Sequence, residues 1–211
     1  MFRDRTEAGR VLAGALKEYE MDSPLVLAIP RGGVVVGREV ALALGAPLDV
    51  VMAKKIGAPY NPEFAIAAAG PDGKVLFSPD IRDGTPRSYV MDRAAEVRKA
   101  IERSLAAFRS NRPEKPIQGM NVVVVDDGLA TGLTAMAALQ YIRRKDPRRL
   151  FLAVPVAPQE TIESLEPLVD GVICPLRPPV FYSVGEWYIS FDQISDEEVR
   201  RILDEFAEKT H

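Results

Sequence analysis

One cysteine and one histidine are all that 211 residues hold of the two side chains that most often carry nucleophilic or proton-shuttling chemistry. A lone Cys174 cannot build a disulfide framework, which fits a reducing compartment. Its setting, Gly171-Val172-Ile173-Cys174-Pro175-Leu176, reads as a buried strand, where a thiol is structural rather than reactive. His211 is the last residue, so histidine-based catalysis is not expected. No apolar run approaches the roughly 18 residues of a spanning helix, and Met1-Phe2-Arg3-Asp4-Arg5-Thr6-Glu7 has no apolar stretch of the kind a signal segment needs. A cytoplasmic protein without a membrane partner is the expectation. Positive charge is not in excess either. The 27 Lys and Arg against 30 Asp and Glu leave a net charge of -3, which argues against broad nucleic-acid binding and leaves room only for local basic patches. Internal repeats and low-complexity tracts are missing as well.

What remains is ordinary soluble-domain material, 47% hydrophobic and 27% charged. The length fits a single domain that buries roughly 70% of its unfolded surface and needs no staples. Periodicity places helices over 6–19, 34–44, 88–109, 135–145, 159–168 and 196–207. Ser88 is the predicted cap of the third. Ser195, with Glu198 in capping-box position, is the predicted cap of the last. Strands are expected at 25–29, 48–53, 121–125, 149–156 and 171–174. Residues 54–63 read as a loop rich in Pro and Gly. Phe64–Ala69 and Lys74–Phe77 read as a small hairpin around Pro71-Asp72-Gly73, and 78–87 as irregular. Strands alternating with helices indicate an α/β fold with a parallel sheet covered on both faces. Its ligands bind at the carboxyl ends of the strands, near the switch in strand order. Segment 71–118 then stands as an inserted hairpin and long helix, the expected lid or hood. The basic residues Arg93, Arg98, Lys99, Arg103, Arg109 and Arg112 on that helix suit a solvated face, a hood over an anionic site, or a dimer contact.

The most informative stretch is Asn121 to Met136, N-V-V-V-V-D-D-G-L-A-T-G-L-T-A-M. Four consecutive Val suit a strand buried on both faces. The strand ends at two carboxylates, Asp126 and Asp127, and a loop of small residues leads into a helix. Strand, tight loop and helix N-terminus make an anion site, with backbone N–H groups and the helix dipole facing the ligand. Thr131 and Thr134 add hydroxyl donors, and Gly132 admits close backbone approach. Two carboxylates would repel a bare phosphate. A sugar phosphate meets both needs: phosphate in the loop, hydroxyls or a bound divalent metal at the acids. Pro30-Arg31-Gly32-Gly33 opens the second predicted helix in the same way, and Arg31 brings a fork suited to phosphate oxygens.

The 121–136 pattern resembles the phosphoribosyl-diphosphate (PRPP) motif of the type I phosphoribosyltransferases. The resemblance covers about thirteen residues, and D-D-x-L-A-T-G is locally closest to the adenine enzymes. Ala130 stands where the hypoxanthine/guanine enzymes place an aspartate, which argues against a 6-oxopurine acceptor. The resemblance implies a phosphoribosyltransferase-like fold, usually dimeric, and Mg²⁺ as cofactor. It also implies that Asp126 and Asp127 hold the ribose hydroxyls, or metal through water. Ala130, Thr131, Gly132, Leu133 and Thr134 take the 5-phosphate. Arg31, Gly32 and Gly33 take pyrophosphate in a loop that often holds a non-proline cis peptide, here around Arg31-Gly32. Lys54-Lys55 resembles the basic pyrophosphate segment of the adenine enzymes, although two Lys at a strand end also suit plain solvation. Glu63 is a further candidate, as hydrogen-bond acceptor from a base or as proton donor, despite a different spacing. Phe181 is the nearest counterpart of the base-stacking ring, with a core or interface role equally open, and Asp192 is a possible late acid near metal. The implied reaction transfers a 5-phosphoribosyl group from PRPP to a nitrogen acceptor, a nucleobase, with release of pyrophosphate. The alternatives are a PRPP-binding regulator without catalysis and a hydrolase using the acid pair.

Overall fold

The computed structural model describes residues 1–78 and 85–207. Most of the predicted irregular segment 78–87 therefore lies outside the described residues, as does His211. Five strands form a parallel sheet: β1 (Pro24–Ala28), β2 (Leu48–Val50), β6 (Asn121–Val125), β7 (Arg149–Ala153) and β8 (Gly171–Ile173), in the order β2-β1-β6-β7-β8. Every residue from Val122 to Val125 has zero exposure, the two-sided burial that the Val run predicts. Each such side chain contributes about 1.5–3 kcal/mol relative to exposure. Alternate residues face opposite layers. Val26, Ala28, Val123 and Val125 pack with helices α1 (Arg5–Leu16), α2 (Gly32–Leu44) and α6 (Asp196–Ala207). Leu25, Leu27, Val122 and Val124 pack with α4 (Leu133–Arg143) and α5 (Gln159–Leu165).

From β1 the chain runs outward to β2 on one side, and β6 returns to β1 on the other. The order thus switches between β1 and β6, where the two connections diverge and leave a crevice at the strands' carboxyl ends. The 29–33 and 126–132 turns flank that crevice.

Residues 54–63 are not a loop. Lys54–Ala58 is a strand, β3, paired antiparallel with β4 (Asn61–Ala69), which pairs in turn with β5 (Val75–Phe77). The register shifts on both sides of Gly57, and that breaks the alternation by which a strand is recognised in sequence. The three-stranded sheet outside the parallel sheet thus begins at Lys54. The long helix α3 (Arg87–Phe108) packs Val90 and Ala94 against this small sheet, and Ile101, Leu105 and Phe108 against the main core. Pro86, not Ser88, holds its N-cap position; Ser88 lies inside the helix. Of the six basic residues from Arg93 to Arg112, four are ion-paired: Arg93 with Glu96, Arg98 with Glu102, Arg109 with the buried Asp49 at 2.8 Å, and Arg112 with Asp204. At α6 the Ser195 hydroxyl accepts from the Glu198 N–H at 3.1 Å, as the capping signal predicts. Cys174 lies one residue past β8 and is only partly buried, and burial raises its thiol pKa.

Candidate active site

Three chain segments meet at the switch point. The first is the end of β6. Asp126 Oδ1 accepts from the Asp127 N–H at 2.8 Å. Burial, and then the Asp127 charge, hold the Asp126 carboxyl well above the usual carboxylate range. Asp127 Oδ2 accepts from Arg5 Nε at 2.7 Å, with the two side chains 15% and 10% exposed respectively.

The second segment is the turn after β1. The Ile29 N–H donates to the Val125 carbonyl at 2.8 Å, which carries the β1–β6 pairing to the edge of the turn. A non-proline cis peptide joins Pro30 to Arg31, one bond before the position expected from the family resemblance. The glycines that follow are required by proximity. A Cβ on Gly32 would lie 1.8 Å from Asp127 Oδ2, and one on Gly33 would lie 2.9 Å from Asp126 Cα and the Val125 oxygen. Backbone and acids thus touch directly. Arg31 forms an ion pair with Asp196 at 3.0 Å, at the start of α6.

The third segment is the loop into α4. Gly132 takes φ +71°, a left-handed conformation that other residues adopt at a cost, and it caps the helix without a side-chain bond. The first N–H groups of α4 therefore have no intrahelical acceptor. The loop is pinned from outside: the Leu129 N–H donates to the Val156 carbonyl at 3.0 Å, and the Thr161 hydroxyl donates to the Ala130 carbonyl at 2.6 Å. Ala130 and Thr131 are exposed, Thr134 is partly buried, and Gly132 and Leu133 are buried. A helix terminus with open N–H groups can accept an anion.

Beside the acid pair lies a cavity of about 530 Å³ whose walls include Arg5, Arg31, Lys54, Phe108, Phe191 and Asp192. Several sequence candidates stand elsewhere. Lys55 is exposed and points away from Lys54, as alternation along β3 requires. Glu63 is exposed near the β3–β4 turn, is not among the cavity residues, and has its backbone N–H bonded to Asn61 Oδ1. Phe181 stacks on Trp187 with ring centroids 6.4 Å apart, in a small apolar cluster with Tyr188 and Phe2, and does not line the cavity. The phenyl rings at the cavity wall are Phe108 and Phe191. Asp192 reaches the cavity, but its carboxylate accepts from the Ser190 hydroxyl at 2.6 Å. Among the described residues no group of three or more His, Cys, Asp or Glu is placed to hold a metal, and no helix is long and apolar enough to cross a membrane.

Sequence reading missed Arg5, Tyr188 and Thr161. The Tyr188 hydroxyl donates to the Asp127 carbonyl at 2.6 Å, and burial followed by the Asp127 charge raises its pKa. Arg5 carried one legible signal: a cation as the first residue of a helix opposes the helix dipole. Such a residue is held there by something other than its own helix.

A parallel sheet covered by helices on both faces, with an acid pair, a glycine-rich arginine turn and a helix terminus at its switch point, is a phosphoribosyltransferase-like fold. The chain belongs to the phosphoribosyl transferase domain family, whose model matches residues 5–176. A curated protein of Mycobacterium tuberculosis H37Rv, named "Putative phosphoribosyl transferase Rv0571c", is 41% identical over 214 residues. The match covers 99% of this chain and 48% of that protein, so the chain spans about half the length of the relative. The crystal structure of TT1426 from Thermus thermophilus is 42% identical with a TM-score of 0.83, covering 97% of this chain and 98% of that one. The AQ2163 protein of Aquifex aeolicus, at 13% identity and a TM-score of 0.53 over 86% of this chain and 76% of its own, shares the fold alone.

Proposed function

We propose that the protein transfers a 5-phosphoribosyl group from PRPP to a nitrogen acceptor, a nucleobase, and releases pyrophosphate. One observation carries the reading. The acid pair Asp126–Asp127 stands between the cis Pro30–Arg31 turn and the pinned loop into α4, which supports acceptors for sugar hydroxyls flanked by two anion-binding segments. In this reading the free amides of residues 130–134, with Thr131 and Thr134, bind the 5-phosphate. Asp126 and Asp127 accept from the ribose hydroxyls. Arg31 and Lys54 stabilise the departing diphosphate by preorganised charge while the anomeric carbon becomes cationic. Two carboxylates without a third ligand suit Mg²⁺, which keeps several waters and is held largely by substrate oxygens; bound there, it would neutralise leaving-group charge.

The test is calorimetric titration of PRPP with Mg²⁺ into the wild type and Asp127→Asn. Asp127 is ion-paired, so circular dichroism first establishes that the variant folds. Losing hydrogen bonds to a charged acceptor predicts affinity lower by about tenfold to a hundredfold. Equal affinities would refute the assignment. A second reading, a PRPP-binding regulator, draws on Phe181, whose partner is Trp187 and not the cavity. A panel of purines and pyrimidines decides: pyrophosphate release with any member supports transfer, and PRPP binding with no release across the panel supports the regulator.

A further inference from the structure

The side chain nearest the chemistry with no part in the reading above is Arg5. It belongs to the first turn of α1, yet its partners are distant in sequence, at Asp127 in mid-chain and at Phe191 and Asp192. Nε donates to Asp127 Oδ2 at 2.7 Å, Nη1 donates to the Asp192 carbonyl at 2.7 Å, and Cζ lies 3.8 Å from the centre of the Phe191 ring. The start of the chain is laced to the same late segment: Phe2 N–H to the Trp187 carbonyl, Ile189 N–H to the Phe2 carbonyl, and Ser190 N–H to the Arg3 carbonyl. Phe191 and Asp192 wall the cavity and lie beyond residues 5–176, which the family model matches. The ring covers one face of the guanidinium, Asp127 and Asp192 take Nε and Nη1, and only 10% of the side chain is exposed. Such a group acts on a ligand through Asp127 rather than by its own contact. The Arg5–Asp127 contact is one-pronged: the guanidinium holds a single carboxylate oxygen.

We propose that Arg5 is a positioning residue for the sugar. It holds Asp127 by Oδ2 so that Oδ1 is presented to the ribose hydroxyls, and it ties that carboxylate to the 187–192 segment that walls the cavity. The inference rests on the PRPP reading. Lysine cannot replace Arg5, because the task needs two separated donors and a planar face for Phe191. The effect is specific to the sugar, because Arg31 and Lys54, not Asp127, face the diphosphate.

The experiment titrates PRPP, ribose 5-phosphate and pyrophosphate, each with Mg²⁺, into the wild type, Arg5→Met, Asp127→Asn and the double variant. The expected result for Arg5→Met is loss of about tenfold in affinity for both sugar ligands, with pyrophosphate little changed, and no further loss when it is added to Asp127→Asn. Loss of pyrophosphate binding to the same degree, or an undiminished loss in the Asp127→Asn background, overturns the proposal, since a merely structural or a direct anion-binding role gives those results. If Arg5→Met does not fold, Arg5→Lys takes its place. A loss confined to the sugar ligands supports the proposal, and a uniform loss or none overturns it. Failure of the wild type to bind either sugar ligand instead refutes the PRPP reading on which the inference stands.

Discussion

Gly32→Ala separates the geometry of the acid pair from the stability of the fold. Gly32 needs no left-handed backbone, so alanine meets no conformational penalty there; the obstacle is space. The added Cβ would stand 1.8 Å from Asp127 Oδ2 and 2.7 Å from Arg5 Nε, where ordinary contact begins at 3.4 Å. The atom in the way is the end of a side chain, so the backbone stays and the carboxylate moves, by about 1.5 Å on these distances. That movement breaks the Arg5–Asp127 pair. Losing one partner of a buried pair costs about 3–5 kcal/mol. Here both charges survive and Asp127 can turn towards cavity water, so about 2 kcal/mol is the better figure. Alanine returns up to about 1 kcal/mol of helix propensity, less at a first position. The net loss is about 1–2 kcal/mol, or a melting temperature lower by about 2–8 °C for a chain of this size.

The functional effect should be far larger than the thermal one, because misplacing a substrate-positioning group by about 1 Å can cost about a hundredfold. Gly33→Ala is the control. Its Cβ would meet Asp126 Cα and the Val125 oxygen at 2.9 Å, both backbone atoms of the sheet end. Nothing flexible can yield there, so overpacking of about 1–3 kcal/mol falls directly on stability. Calorimetric melting and PRPP titration are run on both variants. A Gly32→Ala protein that melts as high as wild type and binds PRPP equally well would show that Asp127 does not lie against the turn.

Two further outcomes follow from the same geometry. The Asp126 carboxyl is held above its ordinary value of 3.8, so the folded protein binds that proton more tightly than the unfolded chain. The stability it contributes is full below pH 3.8 and is lost as pH rises through the folded pKa. Asp126→Asn removes that titration and keeps an oxygen for the Asp127 N–H, so its melting temperature should gain on wild type as pH rises; parallel melting curves from pH 4 to 8 would contradict the enclosed carboxyl. Lys54→Met should weaken pyrophosphate binding about tenfold at low salt while Lys55→Met leaves it unchanged; equal effects in the titration would place both lysines in solvent.

The parallel core was legible because its signals are local. Each of β1, β6 and β7 is an apolar run, and the turns after β1 and β6 carry Arg31 with two glycines and the acid pair with its small-residue loop. Burial on both faces leaves little other use for Val122–Val125. The rest depended on contacts that no window contains. Arg5 and Asp127 are separated by 122 positions, and an arginine opening an amphipathic helix looks like any solvated charge. β3 was hidden by its register shifts. Phe181 was chosen by position within an aromatic segment, but whether a ring faces the cavity or Trp187 depends on how 180–191 folds back on Phe2, which composition does not encode.

The two charged groups central to the proposed chemistry are already engaged by protein partners, and their burial differs in a way that matters. The Arg31–Asp196 pair has 48% and 66% side-chain exposure, and pairs so exposed are worth about 0–1 kcal/mol. A diphosphate, with more charge and bidentate oxygens, would take Arg31 from Asp196 at little cost. The Arg5–Asp127 pair is 10% and 15% exposed, and separating it strands a charge in a poorly solvated place. A ligand therefore gains by exchanging the first pair and keeping the second. The turn would release its arginine to the anion, while the acid that meets the sugar stays fixed by the start of the chain. On the proposed reading, this asymmetry would let one crevice hold a carboxylate and a cation for opposite ends of the same substrate without the two neutralising each other.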